Sequence, residues 1–249
     1  MQPQPASVPP PASVPPPGLG VVPPPASVPP PGVAVLRSPQ GLGSAASALL
    51  AVSAAVYVFA VYAGSVQHEV SEDLFSRSES ELHHADVLYS SAGHVQVLAL
   101  LATAPVFLMW FHRVRANAEV FAGEVCTRGR GWAIGGWFIP IGCLWIPYQV
   151  AREVWTASTQ AAPDGSWRPV SRRPLALWWG VWVTSLLIGR IGSSLAKDAH
   201  TSEAFQRGVD VVILSDALGV AAAILAIVFV RKLTAMQHVK ATQGPCAAL

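Results

Sequence analysis

The sequence predicts an all-α integral membrane protein. Its parts are four transmembrane helices, a central Gly/Trp/Pro-rich segment that re-enters or lies in the interface, and a disordered Pro-rich N-terminal tail. Three observations predict this. Only 12% of the 249 residues are charged and 52% are hydrophobic, against roughly 25% charged in soluble domains. Apolar runs of the length that crosses a bilayer, about twenty residues, recur along the chain. Lys and Arg gather in particular short loops. The net charge of +2 argues against nucleic acid as a partner. Cys126, Cys143 and Cys246 show no C-x-x-C spacing and offer no disulfide framework. The start has no basic stretch followed by an apolar one, so no cleavable signal peptide is expected.

Residues 1–40 are read as the tail. ASVPPP begins at residues 6, 12 and 26, and PPPASVPPPG at 9 and 23. Proline fixes φ and lacks an N–H, so this stretch favours polyproline II over helix or sheet. Residues 1–36 are a disordered spacer or a docking strip for a protein that binds Pro-rich motifs. A multi-span domain over 41–235 follows, with a short C-terminal tail at 236–249.

The first span, 42–63, carries no charge, and Gly43, Ser47, Ala51 and Ala55 place small residues four apart for close helix approach. Residues 65–94 read as a solvated acidic loop, with Glu69, Glu72, Asp73, Glu79, Glu81 and Asp86 against Arg77 alone. Ser71 is the expected helix N-cap there. His68, His83, His84 and His94 fall in the same loop at no metal-binding spacing, so no metal is expected. The second span, 92–111, continues as a polar helix to Phe121, where Gly123 stops it. Residues 131–148 are apolar enough to span, but Gly131, Gly135, Gly136, Pro140, Gly142 and Pro147 disfavour a continuous helix. Trp132, Trp137 and Trp145 suit the interface. Pro147 then opens a helix with Val150, Ala151, Val154 and Trp155 on one face and Gln149, Arg152, Glu153 and Thr156 on the other. The whole segment, 131–158, is therefore re-entrant or interfacial. The last spans are 174–196 and 209–230, interrupted by Arg190 and Asp216 respectively.

Loop charges orient the chain. Residues 112–131 contain four basic residues (Arg113, Arg115, Arg128, Arg130), and 151–173 contain four more. If 131–148 crossed the membrane, as in the five-span alternative, these loops would face opposite sides. If it returns, every basic loop is cytoplasmic and so are both termini of a multi-pass cell-membrane protein.

The central stretch resembles a bacterial, mostly actinomycete, membrane-protein family known as domain of unknown function 4328, over roughly residues 45–235. Trp110, Arg113, Arg115, Asn117, Ala118 and Glu119 carry the resemblance, followed by Gly131, Trp132, Gly135, Gly136, Trp137, Pro140, Leu144, Trp145, Pro147, Tyr148, Arg152, Trp155 and Ser158. It implies a multi-span membrane domain, often behind a Pro-rich tail, and supplies no catalytic residues.

No nucleophile with its base, zinc helix or phosphate loop is present, and Gly135-Gly136 lacks the context of a nucleotide site. A non-enzymatic scaffold or sensor without cofactor is therefore expected, with the lipid bilayer and a tail-binding protein as partners. A small channel or transporter using the broken segment and intramembrane charges is the alternative. Arg190 and Asp216 each lie about 10 Å inside their spans at 1.5 Å per residue. An ion pair between them is expected, across a contact of Ser185, Gly189 and Ser193 with Ser215, Gly219 and Ala223.

Overall fold

An apolar run in lipid must satisfy its own backbone N–H and C=O groups, and each of the four runs does so as a helix. The computed structural model describes residues 36–72, 77–160 and 170–243. The Pro-rich stretch 1–35 and Cys246 lie outside the described residues. Among the described residues all regular structure is helical, and four helices are long and apolar enough to cross a membrane. These are α1 (Gln40–Glu72), α2 (Glu79–Ala122), and, after two short elements α3 (Trp132–Gly135) and α4 (Ile146–Ala157), α5 (Arg173–Lys197) and α6 (Ser202–Gln243).

The helices outrun the expected spans. What reads as an acidic loop over 65–94 is mostly the end of α1 and the start of α2. Ser71 is not an N-cap: it is buried in α1, and its hydroxyl donates to Gln67 O. The cap is Ser78, which forms a reciprocal capping box with Glu81. The expected tail at 236–249 is likewise helical through Gln243. At the other boundaries the sequence expectation holds. Gly123 caps α2, and Pro147 stands in the first turn of α4. Residues 131–148 contain no helix longer than the four residues of α3, and none of the four membrane-length helices includes them.

Helix α1 packs on α2 and α6, and α6 packs on α5. α1 and α5 run one way, α2 and α6 the other. Arg37, residues 123–160 and 170–172, and Lys240 therefore gather at one end of the bundle, here called the capped end. Close approach uses small residues, but only some of those expected. A Cβ on Gly43 would lie 2.7 Å from Thr234 of α6. Ser47 is buried, whereas Ala51 and Ala55 are exposed. Between α5 and α6, Ser215 donates to Ser185 O at 2.8 Å, and a Cβ on Gly189 would meet the Ser215 hydroxyl at 2.6 Å. Ser193 is exposed, and Gly219 turns instead to the Tyr57 ring of α1.

Candidate interaction site at the capped end

Aromatic residues draw the broken segment onto the bundle. Phe229 of α6 lies between Trp178 of α5 and Trp155 of α4, with ring centroids 4.7 and 6.0 Å away and both pairs stacked at 13°. Trp110 of α2 meets the same ring edge-on at 5.7 Å. Trp137, in the turn after α3, sets its ring edge-on to Phe107 of α2 and to Trp179 and Trp182 of α5, at 5.6–5.8 Å. These geometries suit the ring quadrupoles. They bring the Trp137 ring level with Phe107 and Trp182, which lie inside the expected spans. Trp179 Nε1 fixes the return limb by donating to Leu144 O at 2.9 Å.

A buried polar network lies beneath this cluster. Arg115 has no exposed surface, and it donates to Glu119 and to Arg128 O, while Arg130 pairs with the other oxygen of Glu119. Gln237 of α6, 1% exposed, donates to Val114 O and the Ser158 hydroxyl and accepts from Asn117. Asn117 also exchanges two bonds with the Arg37 backbone, accepting from its N–H at 3.0 Å and donating to its C=O at 2.8 Å. Lys240 closes α4 by donating to Ala157 O and Thr159 O at 2.8 and 2.7 Å. Charged donors on carbonyls form the stronger class of hydrogen bond, and buried ones must be paired. The cap is thus tied to α2, α6 and the strand of chain leading into α1. At its edge, burial pushes the Cys126 thiol above its ordinary pKa, while Arg115 acts in the opposite direction.

A polar file runs from this network into the bundle. Gln96, Thr103, Trp110 and Asn117 stand seven residues apart on α2. They bond in turn to Asp216 (α6), Ser53 (α1), Thr234 (α6), and the Arg37 backbone with Gln237. Seven residues are close to two helical turns, so the four lie on one stripe about 31 Å long, comparable with the hydrocarbon thickness.

The structure divides the residues singled out from sequence into two sets. Trp110, Arg115, Asn117, Pro147 and Trp155 are buried and hold the cap together; Gly136 is buried where a Cβ would stand 2.7 Å from Ile146. Trp132, Pro140, Trp145 and Arg152 are exposed, with Arg113, Glu119, Trp137 and Tyr148 between. Arg113 reaches Ser38 O, and Arg152 lies over the Tyr148 ring.

The expected Arg190–Asp216 pair does not form. Asp216 is buried and bonded to Gln96, while Arg190 is exposed. The α5–α6 contact runs through Gly189 and Ser215. One residue further along each helix is a turn of about 100°, which carries the two charges off the shared face.

His68 lies 2.8 Å from the Asp210 carboxylate and 3.3 Å from Glu72, while His83, His84 and His94 are exposed. Among the described residues no three His, Cys, Asp or Glu side chains gather as metal ligands.

Sequence reading missed Gln96, Thr234, Gln237 and Lys240. The seven-residue spacing on α2 was the available signal for the first.

A family model described as a domain of unknown function, DUF4328, matches residues 75–235. No curated protein and no solved structure matches the chain.

Proposed function

The chain belongs to the DUF4328 family, and from that premise we propose a non-enzymatic membrane scaffold or sensor. It presents the Pro-rich stretch 1–36 and the exposed Arg/Trp surface of the cap to the cytoplasm. One observation carries the reading: Asn117 clamps the Arg37 backbone, so the root of the Pro-rich stretch is fixed to the same cap that displays Trp132, Trp145 and Arg152. Of the described Lys and Arg residues, all but Arg77, Arg190, Lys197 and Arg207 lie toward the capped end, and short-loop basic residues favour the cytoplasmic side. The bilayer and a Pro-rich-motif-binding protein are the partners this implies. The alternative, a small channel or transporter, draws on Asp216 within the span.

Single cysteines at Ser80 and His238, both exposed, placed in a chain lacking its own three, test the orientation. An impermeant thiol reagent added to intact cells should label Ser80→Cys and spare His238→Cys. External labelling at 238 would overturn the cytoplasmic assignment. Reconstituted vesicles should show no ion flux above protein-free controls. Flux abolished by Asp216→Leu would favour the channel.

A further inference from the structure

Asp216 is the one described acid that lies deep in an apolar span, and its carboxylate has an amide for a partner rather than a cation. Gln96 Nε2 donates to its Oδ1 at 2.7 Å. Packing closes the site. One turn before Asp216, Ile213 lies against Gly64 of α1, where a Cβ would stand 2.7 Å away. One turn after it, Gly219 lies against the Tyr57 ring at the same distance. The neighbouring Ser215 is bonded to Ser185 O of α5. From α1 and α2 the phenols of Tyr57 and Tyr89 are within electrostatic range of the carboxyl. α5 presents Ser185 and Gly189 to this face of α6, with Arg190 turned to the exterior. On α6 itself Asp210 lies six residues nearer the helix start and pairs with His68. Among the described residues, no Lys, Arg or His forms an ion pair with Asp216.

An ionised carboxylate in hydrocarbon without a counter-ion is expensive, and one amide bond offsets only part of that. Uptake of a proton from water removes the charge without orphaning either group. The Gln96 amide offers an acceptor as well as donors, so after rotating it can receive the acid O–H. Each protonation state then has a complete hydrogen bond, which a Lys or Arg partner would not allow. We propose that Asp216 and Gln96 form a proton-binding site inside the bilayer. The Asp216 carboxyl takes up and releases the proton, and the Gln96 amide reorients between the two states. The site links α2 to α6, so its protonation changes the bond that joins them. This inference does not rest on the scaffold reading.

The test uses the full chain in lipid vesicles treated with dicyclohexylcarbodiimide, which dissolves in hydrocarbon and modifies protonated carboxyl groups. Modified peptides are identified by mass spectrometry. Asp216 should be labelled near neutral pH, with labelling falling about tenfold per pH unit once the midpoint of the site is passed. Asp86 and Asp210, toward the water, should stay unlabelled. Asp216→Asn keeps a partner for Gln96 and should lose the label while still inserting. Gln96→Leu removes a bond that favours the ion, so its labelling should persist to higher pH. An unlabelled Asp216 at neutral and mildly acidic pH would overturn the proposal. So would protection by sodium at constant pH, which would give the site to a metal ion.

Discussion

At the capped end Arg115, Gln237 and Lys240 are withdrawn from solvent, and each donates to a carbonyl of another part of the chain. At the far end the charges meet on open helix surface: Arg77 with Glu81 at 3.8 Å and Arg207 with Glu203 at 3.5 Å, each pair one turn apart. The capped end is basic and aromatic, and the far end carries Glu69, Glu72, Glu79, Glu81, Asp86, Asp198, Glu203 and Asp210. Exposed pairs of the far-end kind are screened by water and contribute little. A buried cation whose partners are fixed carbonyls is worth far more to keep than to mutate. The difference teaches that, in this chain, the buried polar bonds and the basic, aromatic surface reside at the same end. The far end chiefly turns the helices around.

Arg115→Met is expected to give the largest effect. It leaves Arg128 O without its donor and deprives Glu119 of one of two cations. Breaking a buried pair in this way costs about 3–5 kcal/mol. Arg207→Ala should stay within about 0.5 kcal/mol of the parent, because its pair is exposed. Unfolding of both variants in the same detergent measures the gap, and equal losses would break the comparison.

The far end has tight points of its own, which sharpen the contrast, and Gly208 is the tightest glycine contact there. A Cβ on Gly208 would fall 2.4 Å from Ala196 N and 2.6 Å from its Cα, so the backbones of α5 and α6 touch there. Neither backbone can swing aside as a side chain can. Gly208→Ala should cost about 1–3 kcal/mol by overpacking. Gly180→Ala, with nothing within 4 Å of its Cβ, should instead gain roughly 0.5–1 kcal/mol from helix propensity. Thermal unfolding of the pair decides it. A neutral Gly208→Ala would mean that the two backbones can separate there without cost.

The four spans, the broken segment and the Gly123 and Pro147 boundaries were legible because they depend on local content: run length, charge, and residues that stop or start a helix. The pairings were not. Depth along a helix can be counted from sequence, so Arg190 and Asp216 were placed at matching levels. Rotation about the axis depends on which faces pack, and that put Gly189 and Ser215 in contact instead. Lys240 and Gln237 escaped for another reason. Lying past the last apolar run, they read as tail, yet their partners are the end of α4 and the cap network. The stripe on α2 was visible as a spacing, but Asp216, Ser53, Thr234 and Arg37 could be matched to it only in three dimensions.

A further contrast lies at the tip of the broken segment, at Ile141, whose φ is 63° and ψ −47°. Gly142 N donates to Pro140 O at 2.6 Å across it, closing a three-residue γ-turn of the rare positive-φ kind. A β-branched residue there is strained by about 1–3 kcal/mol. Its side chain is 70% exposed and gains little from the rest of the protein. Two substitutions separate the conformational strain from the contact of the side chain with its surroundings. Ile141→Ala removes most of the side chain and keeps the strain; Ile141→Gly removes both. The glycine variant should therefore be more stable than the alanine variant by about 1 kcal/mol, after allowing for the greater freedom of glycine in the unfolded chain. The step from isoleucine to alanine reads the environment of the tip. If the tip sits in lipid with Phe138 and Ile139, the alanine variant should lose stability in vesicles, because buried apolar area is lost. If alanine changes nothing in vesicles and glycine gains the full amount, the tip faces water, and the cap is a surface structure rather than one that dips into the bilayer.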